Sequence, residues 1–243
     1  MIIDDVIGLI EKDERRLRKL GYKDPYGARP SFLVNLMGLD FRDVSWKADQ
    51  IYRTKIWFLE NKINHLIDIV RRLRKALTFP IQEQSLETKN KQYIEIDIES
   101  FFHFSYSILE IMARLTPRFY KPPLKGLKSK SFRKQREWFM NNPEKDPKYS
   151  KYLVERNSWF EKLREHRRKL THYHPLITFQ SSEHGITFGT GRDKEGYIPN
   201  VGVSEYINKT ASELLDFIFF YDKHFGQKLL PERQQIQKEN RAR

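Results

Sequence analysis

Ile56, Leu59, Ile63, Leu66, Val70, Leu73 and Leu77 follow one another at alternating spacings of three and four residues. A seam with that period belongs on one face of a long helix, and its unbroken run calls for another helix to cover it. Ser45 is a candidate cap with Asp49 just inside, and the helix must end before Pro80, whose ring cannot continue it. Arg71, Arg72, Arg74 and Lys75 crowd the last turns, where the helix dipole favours cations, and a solvated face is their expected role.

The rest of the chain supplies partners for that seam. Ile3, Val6, Ile7, Ile10, Leu17 and Leu20 predict a first helix over residues 1–20, stopped at Gly21. Pro25, Gly27, Pro30 and Gly38 make most of residues 21–45 a loop. A third helix is expected from Tyr93 to Leu115, with Ile94, Ile98, Phe101, Phe102, Ser105, Ile108, Leu109, Met112 and Leu115 on a broad inner face. Glu95 and Glu99 share one edge of that face and Asp97 lies on the other; either edge could answer arginines elsewhere. A fourth helix is expected over residues 149–173. Alternation of Ile177, Phe179, Ile186 and Phe188 then predicts a short β-hairpin, followed by a Gly-rich loop without the order of a phosphate-binding loop. The last long helix, about residues 204–224, carries Ile207, Ala211, Leu214, Leu215, Ile218, Phe219 and Phe225 inward and ends at Gly226.

Long helices with apolar faces and a single hairpin predict an all-α fold, an antiparallel helical bundle with a short β-hairpin before the last long helix. Residues 1–45 read as an N-terminal helix and loop, residues 46–226 as the bundle, and residues 227–243 as a polar tail ordered only on meeting a partner.

Within the bundle, residues 117–150 change character. They carry Pro117, Pro122, Pro123, Pro143 and Pro147, the cations Lys121, Lys125, Lys128, Lys130, Arg133, Lys134 and Arg136, and interleaved Phe119, Tyr120, Phe132, Trp138 and Phe139. Charge for phosphates beside flat rings for bases is what single-stranded nucleic acid binds. An ordinary solvated segment whose aromatics enter the core accounts for the same residues.

Lys+Arg number 45 against 32 Asp+Glu, a net charge of +13, which favours polyanionic partners, nucleic acid first and anionic membrane second. There is no cysteine, which excludes disulfides, thiolate-bound zinc and thiol catalysis. No apolar run is long enough to span a bilayer, and MIIDDVIGLIEKDERR has acids where a secretory leader needs bases, so the expectation is a soluble, cytoplasmic protein without a membrane role.

Chemistry concentrates in WFEKLREHRRKLTHYHP, residues 159–175. Wound as a helix, it places Phe160, Leu163 and Leu170 on one face with Arg167 between them. A guanidinium within an apolar stripe needs a partner or a task. Arg164, Arg168 and His172 follow at i, i+4 and i+8 along the adjacent edge, and Pro175 stops the helix so that His172 and His174 sit where it frays. Arginines beside imidazoles suit phosphate chemistry. A structural account has Arg167 paired with Glu99 and His172 stabilised by the helix dipole. His172 and His174 lack a third convergent ligand, so no metal and no cofactor is expected.

The run Arg167-Arg168-Lys169-Leu170-Thr171-His172 resembles the signature of the HEPN superfamily of helical-bundle proteins, many of them ribonucleases: an arginine, four to six residues, then a histidine at the end of a core helix. The resemblance covers residues 45–226. Arg168 stands where members often carry a small polar residue, and His174 where some toxin-type members carry a tyrosine that a partner enzyme modifies. The resemblance implies metal-independent cleavage of single-stranded RNA by 2′-hydroxyl attack, with Arg167 and His172 as the catalytic pair in a cleft shared across a homodimer. Arg164, Arg168, His174, Glu99 and Glu95 would bind phosphate or support the pair. It also implies a protein partner in a toxin or defence setting, and a non-catalytic nucleic-acid- or nucleotide-binding role is the alternative.

Overall fold

The computed structural model describes residues 2–19, 32–33, 46–78, 88–120, 122–127, 131–172, 176–181, 185–190, 192–193, 196–197 and 201–241. The helices are α1 (Ile2–Lys19), α2 (Trp46–Thr78), α3 (Thr88–Leu115), α4 (Phe132–Asn141), α5 (Pro147–Glu155), α6 (Asn157–His172) and α7 (Val203–Arg241). Single 3-10 turns follow α3 (Thr116–Phe119) and α4 (Pro143–Lys145). Between α6 and α7 run β1 (Leu176–Ser181), β2 (Gly185–Thr190), β3 (Arg192–Asp193), β4 (Gly196–Tyr197) and β5 (Val201–Gly202). The protein is an all-helical bundle with a β-hairpin ahead of its last long helix. Among the described residues no helix is long and apolar enough to cross a membrane.

The hairpin has the expected pairing, with Thr178 opposite Phe188 and Gln180 opposite Ile186. It gains a third strand that the sequence did not announce, β5, which pairs antiparallel with β2, while β3 and β4 form a separate two-stranded ladder. Gly21 and Ser45, expected to bound the first two helices, lie outside the described residues.

α3 begins at Thr88, ahead of the expected Tyr93, α4 was not expected, and the fourth and last expected helices differ in extent. The expected fourth helix is two: α5 stops at Glu155, and Arg156, at φ −100° and ψ 5°, hands the chain to α6. Asp146 and Pro147 start α5, the carboxylate accepting the Tyr149 N–H as an N-cap and the proline taking the first helical position, where its missing N–H is no loss. The last helix does not stop at Gly226. Its backbone continues through Pro231 to Arg241, across the expected tail. Buried Phe225 and Gly226 sit against the core, and that packing overrides a glycine penalty of about 1 kcal/mol.

The chain forms two compact units. One gathers Met1–Arg29, Asn64–Tyr106 and Ser158–Leu215; the other gathers Pro30–Ile63, Ser107–Asn157 and Asp216–Arg243. In the first, α1 buries Ile3, Val6, Ile7 and Ile10, and the Ile3 N–H reaches Ser212 Oγ of α7 at 3.4 Å. Phe101, Phe102, Phe160, Leu163, Phe188, Ile207 and Leu214 complete this core. Phe102 and Phe188 meet at 5.9 Å, joining α3 to the hairpin.

The second unit is built on aromatic rings. Tyr149 is fully buried, with Phe139 at 4.9 Å and Phe225 at 5.1 Å, both edge-on. Thr116 and Tyr221 both donate their hydroxyls to the Met112 carbonyl at 2.8 Å, their oxygens 3.0 Å apart, which closes the C-terminal end of α3. Glu60, buried on α2, accepts the Phe32 N–H at 2.7 Å. Ahead of α4 the turn at Gly126 has φ +82°, which favours glycine, and a Cβ there would sit tightly against Trp138 Nε1 at 3.3 Å.

Candidate functional site

α6 carries the Arg/His run in its C-terminal half. Phe160 and Leu163 are buried as expected, and Arg167, one turn on from Leu163, is half-buried rather than sealed in the core. Its guanidinium lies over the ring of Tyr106 on α3, 4.7 Å from the centroid, a cation–π contact. Tyr106 is a site residue that the sequence reading missed; its signal was its place one turn beyond Phe102. Arg164 pairs with Glu161 at 2.9 Å, Lys169 with Glu165 at 3.0 Å, and Arg168 is exposed. His172 is the last residue of α6, and by helical register its position follows Arg164 and Arg168 along one edge. His174 lies outside the described residues.

The acids expected to answer these arginines are elsewhere in part. Glu95 and Glu99 are half-buried on α3. Asp97 is engaged by another helix: Arg72 of α2 grips it through two hydrogen bonds of 2.6 and 3.0 Å. Arg71 holds Glu14 of α1 in a forked pair at 2.9 Å on both arms, and Arg74 reaches Asp4 at 2.8 Å and Asn208 at 2.7 Å. Arg71 and Arg74 therefore reach across to α1 and α7 in the first unit, while Arg72, paired with Asp97 of α3, and Lys75 are exposed as expected. The hydrogen bonds that Arg71 donates to Glu14 raise its pKa above the ordinary value against the effect of burial. An open cleft of about 870 Å³ is lined there by Asp4, Glu11, Asp68, Arg71, Arg72 and Lys75, so acids and bases alternate around it.

His166 has a different fate from His172. Its ring packs beside Phe102 at 5.5 Å and Tyr206 at 4.9 Å, which themselves meet at 5.9 Å, with Phe188 edge-on at 6.0 Å. Burial drives its pKa down to about 4, so at neutral pH it is an uncharged aromatic of the core. The same burial pushes Tyr206 up to about 12.

The described residues between 117 and 150 form short helices and turns, most of their aromatics enter the core, and Trp138 is half-buried. Phe119, Tyr120, Phe132 and Phe139 are all buried, which removes them as stacking platforms for bases. Of the expected cations, Lys125 and Lys134 are exposed, while Arg133 pairs with Glu137 at 2.9 Å. Arg136 is 4% exposed, a correction to its expected place on a nucleic-acid face: α4 turns it inward together with Phe132, Gln135 and Phe139. Lys128 and Lys130 lie outside the described residues.

Asp146 is the polar centre of the second unit. Its Oδ2 accepts from Tyr120 Oη at 2.6 Å, His224 Nε2 at 2.9 Å and Lys228 Nζ at 2.6 Å. Burial raises its carboxyl, and the bonds from His224, Lys228 and Tyr120 outweigh that and hold it well below the usual carboxylate range. Burial and Asp146 together push Tyr120 far above an ordinary phenol. Asp146 is a further residue that the sequence reading missed; its place before Pro147 is a local helix-start signal, but the donors from α7 leave no mark there. Comparison with protein-family models, curated proteins and solved structures finds no match for this chain.

Proposed function

We propose that the chain is a metal-independent endoribonuclease of the HEPN type acting on single-stranded RNA, with Arg167 and His172 as the catalytic pair. The observation that carries this reading is the placement of Arg167: half-buried against Tyr106, yet on the helix whose exposed edge bears Arg168 and whose last residue is His172. A guanidinium held on an aromatic face is restrained before substrate arrives, which suits a group that must meet charge developing in a transition state.

In the reaction the RNA 2′-hydroxyl gives its proton to a neutral imidazole and its oxygen attacks the adjacent phosphorus. The bond from phosphorus to the 5′-oxygen breaks, that oxygen takes up a proton, and the products are a 2′,3′-cyclic phosphate and a 5′-hydroxyl. His172 is the acid–base group, contributing roughly 10²–10⁴-fold. Arg167 holds the phosphoryl oxygens, and Arg164 and Arg168 bind neighbouring phosphates. A homodimer supplies a second imidazole, so that one takes and one gives the proton.

The test is cleavage of a single-stranded RNA in chelator by the wild type, Arg167→Ala and His172→Ala. Loss in both variants supports the reading. Equal activity in all three, or none in any, rejects it and leaves a non-catalytic nucleic-acid-binding bundle.

A further inference from the structure

On α2, in the second unit, Trp57 and Phe58 are 57% and 50% exposed, with their rings 5.4 Å apart at 65°. The opposite side of the same turns carries Tyr52, Ile56, Leu59 and Ile63, all buried, so this helix has already spent its apolar face on the core. Helical register puts Arg53 one turn before Trp57, Lys62 one turn after Phe58, and Lys55 beside Phe58. Tyr52 meets Phe119 edge-on at 6.1 Å, which seats the 3-10 turn Thr116–Phe119, and with it Arg118, alongside this stretch. Arg114 is exposed one turn earlier.

Among the described residues Lys55, Arg114 and Arg118 form no ion pair. The nearby acids are used elsewhere: Glu60 takes the Phe32 N–H, and Glu110 takes the Phe132 N–H at 3.2 Å. Burial lowers the Lys55 pKa, and repulsion from Arg118 and Arg114 lowers it further. The three cations repel one another in a way that a bound polyanion relieves.

We infer that Trp57, Phe58, Lys55, Arg114 and Arg118 form a binding face for single-stranded nucleic acid, with bases stacked on the two rings and phosphates on the cations. Unpaired cations beside exposed flat rings are the combination that unstacked bases and their backbone recognise. A membrane surface fits less well, because the apolar footprint is two rings within a polar face and the helix has no second apolar stripe to insert. This face is independent of whether α6 is catalytic.

The experiment is fluorescence anisotropy of labelled oligodeoxythymidine, which lacks the 2′-hydroxyl that cleavage needs, titrated with the full chain. Trp57→Ala weakens binding roughly ten-fold through the lost stacking. Lys55→Gln combined with Arg118→Gln flattens the log–log salt slope by about 0.7 per lost phosphate contact. Lys151→Gln, an exposed lysine of α5 outside this face, leaves both unchanged, and melting curves confirm that the surface variants are folded. Wild-type affinity and salt slope in both the Trp57 and the Lys55/Arg118 variants overturn the inference. So does binding to phosphatidylserine vesicles that the oligonucleotide fails to displace.

Discussion

Lys228 Nζ lies 2.6 Å from Oδ2 of Asp146, a carboxylate whose side chain is 3% exposed and which also holds His224 and Tyr120. The lysine in turn covers the Tyr120 ring at 4.1 Å. One acid thus ties the start of α5 to α7 at a point where the surrounding groups are aromatic. Such an acid stabilises only while every donor is present, because removing one partner leaves the others buried and unmatched.

Asp146→Asn is expected to destabilise the fold by about 3 kcal/mol, in the range found when a buried pair is broken on one side. Urea unfolding at pH 7 measures it. The pH dependence has a definite sign. The folded-state pKa is depressed, so the contribution is complete above the ordinary carboxylate value and is lost as pH falls below about 4. The wild type should therefore lose stability below pH 4 more steeply than the asparagine variant. Parallel curves would remove Asp146 from this role.

His166 gives a second pH window, higher than that of Asp146. Its folded pKa is near 4 against an ordinary 6.5, so between those values the unfolded chain binds the proton and the folded chain does not. Stability falls as pH drops through this window, by on the order of 2–3 kcal/mol. His166→Phe keeps a flat ring beside Phe102 and Tyr206 and removes the titration. It should match the wild type or better at pH 7 and exceed it clearly at pH 5, read from denaturant midpoints. A variant that loses stability equally at both values would show that the imidazole nitrogens matter more than the ring.

The bundle and its hairpin were legible in the sequence because their signals are local. The period of Ile56 to Leu77 and the alternation of Ile177, Phe179, Ile186 and Phe188 each depend only on neighbours along the chain. What could not be read depends on residues far away. Arg156 ends a helix while its guanidinium reaches Asp216 at 2.8 Å, and Tyr152 donates to the same carboxylate at 2.6 Å. Arg71, Arg72 and Arg74 look like any cationic helix end until Glu14, Asp97 and Asp4 are brought opposite them by the fold. Arg136 failed as a surface cation for the same reason: the pattern of α4 buries Phe132 and Phe139, and the arginine shares their side. On α6 the sequence placed Arg167 between Leu163 and Leu170 on the apolar face, but Tyr106, one turn beyond Phe102 on another helix, is tied to it only by the fold.

The forked pair between Arg71 and Glu14 is half-buried, with side-chain exposures of 23% and 13%, and it fastens α1 to α2. Arg71→Ala should lower stability by about 1–2 kcal/mol, in keeping with two charge-assisted hydrogen bonds of good geometry partly shielded from water. Glu14→Gln should cost about as much, and the double variant little more than either alone, since the two groups act on each other. Strict additivity in the double-mutant cycle would mean the pair contributes nothing as a pair.

Tyr106 offers the sharpest link between the packing of α6 and its proposed chemistry. Its ring holds the Arg167 guanidinium from one side at 4.7 Å, so in the proposed reaction it is a positioning residue. Tyr106→Leu keeps an apolar side chain and removes the π face, and the lost contact is about 0.5–2 kcal/mol, a few-fold to thirty-fold in rate. The loss should fall on kcat while KM holds, because a restrained guanidinium matters most where negative charge develops. Tyr106→Phe retains the face and should retain the rate, which separates ring from hydroxyl. A Leu variant with unchanged kcat in single-turnover cleavage, at wild-type stability, would detach Arg167 from its ring as a functional unit.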